Sequence, residues 1–195
     1  MRQAGIASLA IFYFDSKDSR KNNQRGVLSS LLVQLCHQSD SYYRIFSHFY
    51  EKHSNGVRLP SVDALVGCLK DLLRVPGQVP VYLILDALDQ ALDRCSNAYT
   101  LVSPRREVLK LLKELIGPHF PNLRICITSR LEADIQAALS PLAFRSISLQ
   151  DESGHKDDIN NYIKFVVNTD PMMQRWRVDD KEWAIKVLIE QADGR

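Results

Sequence analysis

The segment Val81-Tyr82-Leu83-Ile84-Leu85-Asp86 limits the possible folds more than any other part of the chain. Its apolar run offers no polar alternation, so it reads as a strand buried on both faces of a mostly parallel sheet. Such sheets need helical crossovers, which makes the chain α/β. Asp86 ends the run. In parallel α/β sheets ligands bind beyond the carboxyl ends of the strands, where an acidic side chain meets a metal or a phosphate-bound cation. Asp89 adds a second acid three residues later. An Asp at this place is also an ordinary turn residue or helix N-cap, so the position alone does not decide its role.

The rest of the chain supplies the crossovers. Residues 6–14 are β-branched and aromatic and predict a first strand. Val27, Leu28, Leu31, Leu32 and Leu35 fall at helical spacing over 24–37, and a less regular helix follows over 41–52. Ser61 is the expected N-cap of a helix carrying Leu65, Leu69, Leu72 and Leu73, closed by Pro76-Gly77. Residues 91–102 have no period and read as loop. Ser103-Pro104 opens the next helix, which aligns Val108, Leu111, Leu112 and Leu115. Residues 122–128 predict a further strand that delivers Ser129 and Arg130 to the sheet's carboxyl edge, followed by a short helix to Leu139 and a fourth strand over 143–149. From Asp151 the pattern is helical, over 156–168 and 179–192. The division expected is an α/β core over 1–150 and a helical extension over 151–195.

A chain of 195 residues that is 45% hydrophobic closes one core. Its net charge is only +2, with no basic block, so no footprint for nucleic acid is present. No apolar run approaches the ~20 residues of a membrane span, and Met1-Arg2-Gln3-Ala4-Gly5 leads into a strand pattern rather than a signal peptide. Cys36, Cys68, Cys95 and Cys126 lack metal-ligand spacing and read as reduced core thiols of a cytoplasmic protein. The aromatic helix with Tyr42, Tyr43, Phe46, Phe49 and Tyr50 reads as core, the other possibility being a contact surface.

Four segments taken together resemble the nephrocystin-like and NACHT domains of fungal multidomain proteins in the STAND class of P-loop NTPases. Phe12-Tyr13-Phe14-Asp15 and the 28–35 helix look like the strand and helix that follow the nucleotide loop. Leu83-Ile84-Leu85-Asp86-Ala87-Leu88-Asp89 looks like the Walker B segment, with Gln90 where relatives carry Glu, and 123–130 looks like the sensor segment. The resemblance implies a three-layer, P-loop NTPase-like parallel sheet followed by the start of a helical lid. It also implies Mg²⁺ with ATP or GTP as cofactors: Asp86 would hold the metal, Asp89 would position water and Arg130 would read phosphate. Protein partners would engage downstream repeats.

The phosphate-cradling G-x-x-x-x-G-K-[ST] motif is nowhere in the chain. In the family that loop and its strand come earlier than the residues matching 1–14, so the resemblance implies a chain truncated at its start. The expected function is therefore a partial nucleotide-binding domain without tight nucleotide binding. A sheet deprived of that strand is expected either to show a gap of about twice the ~4.8 Å strand spacing or to close up as four strands. Two other classes compete. One is a protein-interaction module on the same scaffold. The other is an unrelated enzyme, which Leu88 and the neighbours of Ser129 disfavour because they fit neither a phosphoryl-accepting Asp motif nor a nucleophile elbow.

Overall fold

In the computed structural model, which describes residues 6–17, 22–53, 55–91, 103–117, 120–148 and 153–192, three strands form one parallel sheet. They are β1 (Ser8–Tyr13), β2 (Val81–Asp86) and β3 (Leu123–Ile127), in the order β1-β2-β3. The register aligns Ser8 with Val81 and Leu123, and Phe12 with Leu85 and Ile127. β2 is central because it is the most apolar strand and has a neighbour on each side. Three helices, α1 (Gln24–Cys36), α2 (Asp40–Lys52) and α3 (Val62–Leu73), connect β1 to β2. One, α4 (Pro104–Leu115), connects β2 to β3, and α5 (Ala133–Leu139) follows.

Helix starts follow local chemistry. Asn23 Oδ1 accepts from Gly26 N at 3.0 Å, Ser61 Oγ from Ala64 N at 3.1 Å, and Ser103 Oγ from Arg106 N at 3.4 Å, with Pro104 in the first turn. Each cap satisfies a donor that the helix cannot. The apolar stripes of α1, α3 and α4 then close over one face of the sheet. Ala10, Phe12, Val81, Leu83 and Leu85 are buried there with Leu28, Leu69, Leu72, Leu111 and Leu112. Tyr42, Phe46 and Phe49 of α2 join this core, whereas Tyr43 and Tyr50 are exposed.

The α/β class, the parallel sheet and the helices after it are as the sequence predicts. Three details differ. Burial on both faces of β2 is not observed, since Tyr82 is 41% exposed and Ile84 only partly buried. An apolar strand sequence permits burial on both faces, but covering helices decide it. Residues 143–148 form no strand, and Phe144 and Ile147 are exposed. Strand propensity there finds no ladder to join, and an extended segment without a partner leaves its own backbone bonds unmade. The sheet is accordingly neither gapped nor four-stranded. Cys126 is exposed, while Cys36 and Cys68 are buried as expected, because on β3 the even positions face away from the core. The expected loop over 92–102 with Cys95, the end of the fourth strand at Leu149 and the first five residues lie outside the described residues.

The two edges of the sheet end differently. On the outer side of β1, Gln38 Oε1 accepts from Leu9 N at 2.8 Å and its Nε2 donates to Leu9 O at 2.7 Å. Gln34 repeats the pattern one turn earlier on Ile11, at 3.0 and 2.7 Å. Two glutamines four residues apart on α1 thus stand in for a neighbouring strand. β3 has no such guard among the described residues.

The chain divides into two compact units, Met1–Ala143 and Phe144–Arg195. In the second, α6 (Ser153–Thr169) packs against α7 (Val178–Ala192). Asp170 organises the turn between them: its carboxylate accepts from Met172 N at 2.7 Å, and its carbonyl accepts from Met173 N and Gln174 N. Tyr162, Phe165 and Trp183 are exposed on these helices. No described helix is long and apolar enough to cross a membrane.

Candidate functional site

Parallel pairing brings the ends of β2 and β3 side by side, and this places Asp86 next to Thr128. Leu85 O accepts from Thr128 N at 3.0 Å, which continues the ladder one residue past β3. The Thr128 hydroxyl then works in both directions. It donates to Asp86 Oδ1 at 2.5 Å and accepts from Ala87 N at 2.9 Å. This holds one carboxylate oxygen of Asp86 and leaves Oδ2 without a partner among the described residues.

Ala87 adopts a left-handed conformation, φ 55° and ψ 48°, which turns the chain sharply off the strand. A residue with a Cβ is disfavoured there. The Thr128 contacts bracket the turn, since Leu88 N also donates to Thr128 O at 3.0 Å. One 3₁₀ turn, Leu88–Gln90, follows, and Leu88 seals it into the core.

Asp89 points into this turn and binds the segment after β3. Its Oδ1 accepts from Arg130 N at 3.1 Å; its Oδ2 accepts from Gln90 Nε2 at 3.0 Å and lies 3.6 Å from Arg130 Nε. The Asp89 side chain is 7% exposed and that of Arg130 is 81% exposed. Asp86 and Asp89 therefore do not confront each other uncompensated, as the sequence suggests. Thr128 engages one and Arg130 the other. The pairing also gives Gln90 a place: where an acid would set a second negative charge beside Asp89, the amide donates to it.

Two residues that the sequence did not single out hold this arrangement. Arg105, at the start of α4 and 8% exposed, donates from Nη2 to Asp89 O at 2.6 Å and from Nε to Ala91 O at 3.1 Å, and reaches Asp134 Oδ1 of α5 at 3.4 Å. Asn22, 1% exposed, bonds both the backbone N–H and the carbonyl of Asp15 and donates to Gln90 O at 3.3 Å. It ties the end of β1 to the turn after β2. A polar residue at the start of a helix gives no sequence signal for such a role, because its partners are fixed only once the strands pair.

The chemistry available is one open carboxylate oxygen on Asp86, a hydroxyl already committed, and an exposed guanidinium on Arg130. Mg²⁺ takes octahedral oxygen ligands and is commonly held by one or two carboxylates plus waters and substrate phosphates. Asp86 fits that part, and Arg130 fits a phosphate oxygen. Among the described residues no three His, Cys, Asp or Glu side chains converge on a metal. The fit is therefore to a cation that brings phosphate and water ligands with it.

Two clefts elsewhere in the first unit contain none of these residues. One, of about 520 Å³, lies between α2 and α3 beside His48, His53 and Cys68. The other, of about 640 Å³, lies at the amino end of β1 and β2 beside Ser8, Tyr42 and Gln78. His53 turns Nδ1 toward Phe49 O at 2.8 Å, a bond within its own helix end.

Compared with known families, residues 1–130 match that of nephrocystin 3, N-terminal. The chain belongs to this nephrocystin family. The match spans β1 to Arg130, so Asp86, Asp89, Thr128 and Arg130 all lie inside the nephrocystin-type segment. No curated protein and no solved structure matches the chain.

Proposed function

We propose that this nephrocystin-type domain is a partial NACHT-like nucleotide-binding core of a STAND signalling NTPase, which as this chain stands binds ATP or GTP only weakly. The observation that carries the reading is the Asp86 carboxylate at the carboxyl end of the central strand, braced by Thr128 with one oxygen left open. Asp86 would hold Mg²⁺, which would neutralise phosphate charge. Arg130 would approach a phosphate from the neighbouring strand end. Asp89 would position water by way of the turn it organises, since both of its oxygens already have partners. Backbone N–H groups of a glycine-rich loop supply most phosphate affinity in such enzymes, and the motif for that loop is not in this sequence.

Thermal unfolding of the 195-residue chain with Mg-ATP, Mg-GTP or no nucleotide tests this directly, because a ligand that binds the folded state raises the midpoint by mass action. The expected result at millimolar nucleotide is a shift of no more than about 1 °C, which Asp86→Asn abolishes. A shift of about 5 °C or more would show that tight binding needs no such loop and would overturn the reading.

The second reading is a protein-interaction module on the same scaffold. The open sheet face around Tyr82 and the exposed Tyr43 and Tyr50 of α2 favour it. Partners reached through downstream repeats, and a cytoplasmic location, belong to both readings as expectations.

A further inference from the structure

The unguarded edge of β3 has a specific geometry. Val81 N donates to Asn122 O at 2.9 Å and Thr128 N donates to Leu85 O at 3.0 Å. With parallel alternation between them, the even positions of β3 direct their backbone groups to β2 and the odd positions direct theirs outward. Leu123 is closed locally, its N–H on Phe120 O at 3.0 Å and its carbonyl on Arg124 Nη1 at 2.9 Å. Ile125 and Ile127 remain, each with an outward N–H and carbonyl that bond to no described residue. Both side chains are half-buried against the core, so the backbone beside them is held rigid for pairing.

We infer that a second copy of this chain occupies the edge, pairing β3 with β3 of the partner subunit in antiparallel fashion about a two-fold axis at Cys126. The register follows from the two free residues. Antiparallel strands exchange both bonds between directly opposed outward-facing residues. Only opposing Ile125 to Ile127 of the partner subunit, and the reverse, satisfies all of these groups without breaking the Leu123 bonds. Centring on Ile125 instead would recruit Leu123. In the chosen register Arg124 falls opposite Thr128 of the partner subunit, so no like charges meet. The β-branched side chains opposed across the pair suit a ladder. A contact this short buries less than the roughly 1,200 Å² of a stable interface, so the dimer is weak and concentration-dependent.

The register puts Cys126 directly opposite Cys126 of the partner subunit as a non-hydrogen-bonded pair. The Cα separation there is about 4.5 Å, inside the range a disulfide spans. This gives a direct test. In a Cys95→Ser chain, Cys126 is the exposed thiol among the described cysteines. Dithiodipyridine provides the oxidising equivalents: one Cys126 thiol displaces a thiopyridone to form a mixed disulfide. The second Cys126 thiol then displaces the other thiopyridone and closes the protein disulfide. Sedimentation equilibrium measures the untreated dimer.

The expected result is a concentration-dependent dimer that cross-links fully through Cys126 when folded and slowly when unfolded in urea. Cys126→Arg opposes like charges and weakens dimerisation about fivefold, whereas Cys126→Val preserves it. Both changes fall on an exposed side chain, so folding is retained. A strict monomer, or a dimer indifferent to Cys126→Arg, overturns the proposal. A chain with added upstream residues that is monomeric and shields Cys126 would place an intramolecular strand on the edge and overturn it equally.

Discussion

Thr128 shows how much one hydroxyl can decide. It fixes Asp86, caps the left-handed Ala87 and joins two strand ends, yet its position in the sequence is only the last residue of an apolar stretch. Replacing it with Val keeps the shape and removes both bonds. The expected loss is about 1–2 kcal/mol in urea unfolding, with Thr128→Ser retaining most of the stability. Arg105 is more demanding, because its partners are two carbonyls and a carboxylate beside a buried cation. Arg105→Met should cost about 3 kcal/mol by the same measurement, since Asp134 would lose its ion-pair partner while Asp134 Oδ2 already has no hydrogen-bond partner. The strand-end position of Asp86 was legible in the sequence, because an apolar run must end at the sheet's edge. The roles of Thr128, Arg105 and Asn22 were not, because each depends on neighbours distant in sequence.

The elements repeat this contrast. Helix boundaries and caps were legible at Ser61 and Ser103-Pro104, since capping is a local contest for unsatisfied N–H groups. The fourth strand was misread, because a strand exists only by virtue of its neighbour. The pair Gln34 and Gln38 shows the converse, a helix acting as a strand's partner, and amide side chains on an apolar helix gave no hint of it. Changing both to Leu should leave α1 helical but strip four bonds from β1. The double variant is expected to lose about 2–4 kcal/mol and to gain light scattering on warming, because an uncovered parallel edge templates association. Single variants should show about half the loss each, unless Gln38 Nε2, which also donates to Gln34 O, couples them.

Taken as a whole, the molecule keeps its titratable core groups neutral. Burial raises the thiol of Cys68 from 9.0 to about 11, with the charge of Asp71 adding to it. Burial also raises Cys36, and it raises Tyr42, whose hydroxyl donates to Gln78 Oε1 at 2.6 Å. A folded pKa above the unfolded one favours folding below the unfolded value and loses that advantage as pH rises. Unfolding free energy should thus be flat to about pH 8.5 and fall between pH 9 and 11, and Cys68→Ala should flatten that decline. Urea titrations across this range read the slope.

The sequence by itself determined that an α/β chain with a parallel sheet forms, that Asp86 sits at the sheet's carboxyl edge and where most helices begin. Those features follow from the hydrophobic period and from local competition for backbone bonds. Tertiary structure alone decided that Asp89 holds Arg130, that one face of β2 stays open and that β1 is guarded while β3 is not. Each of those rests on which distant residues meet, and pairing, unlike periodicity, is a property of two segments at once.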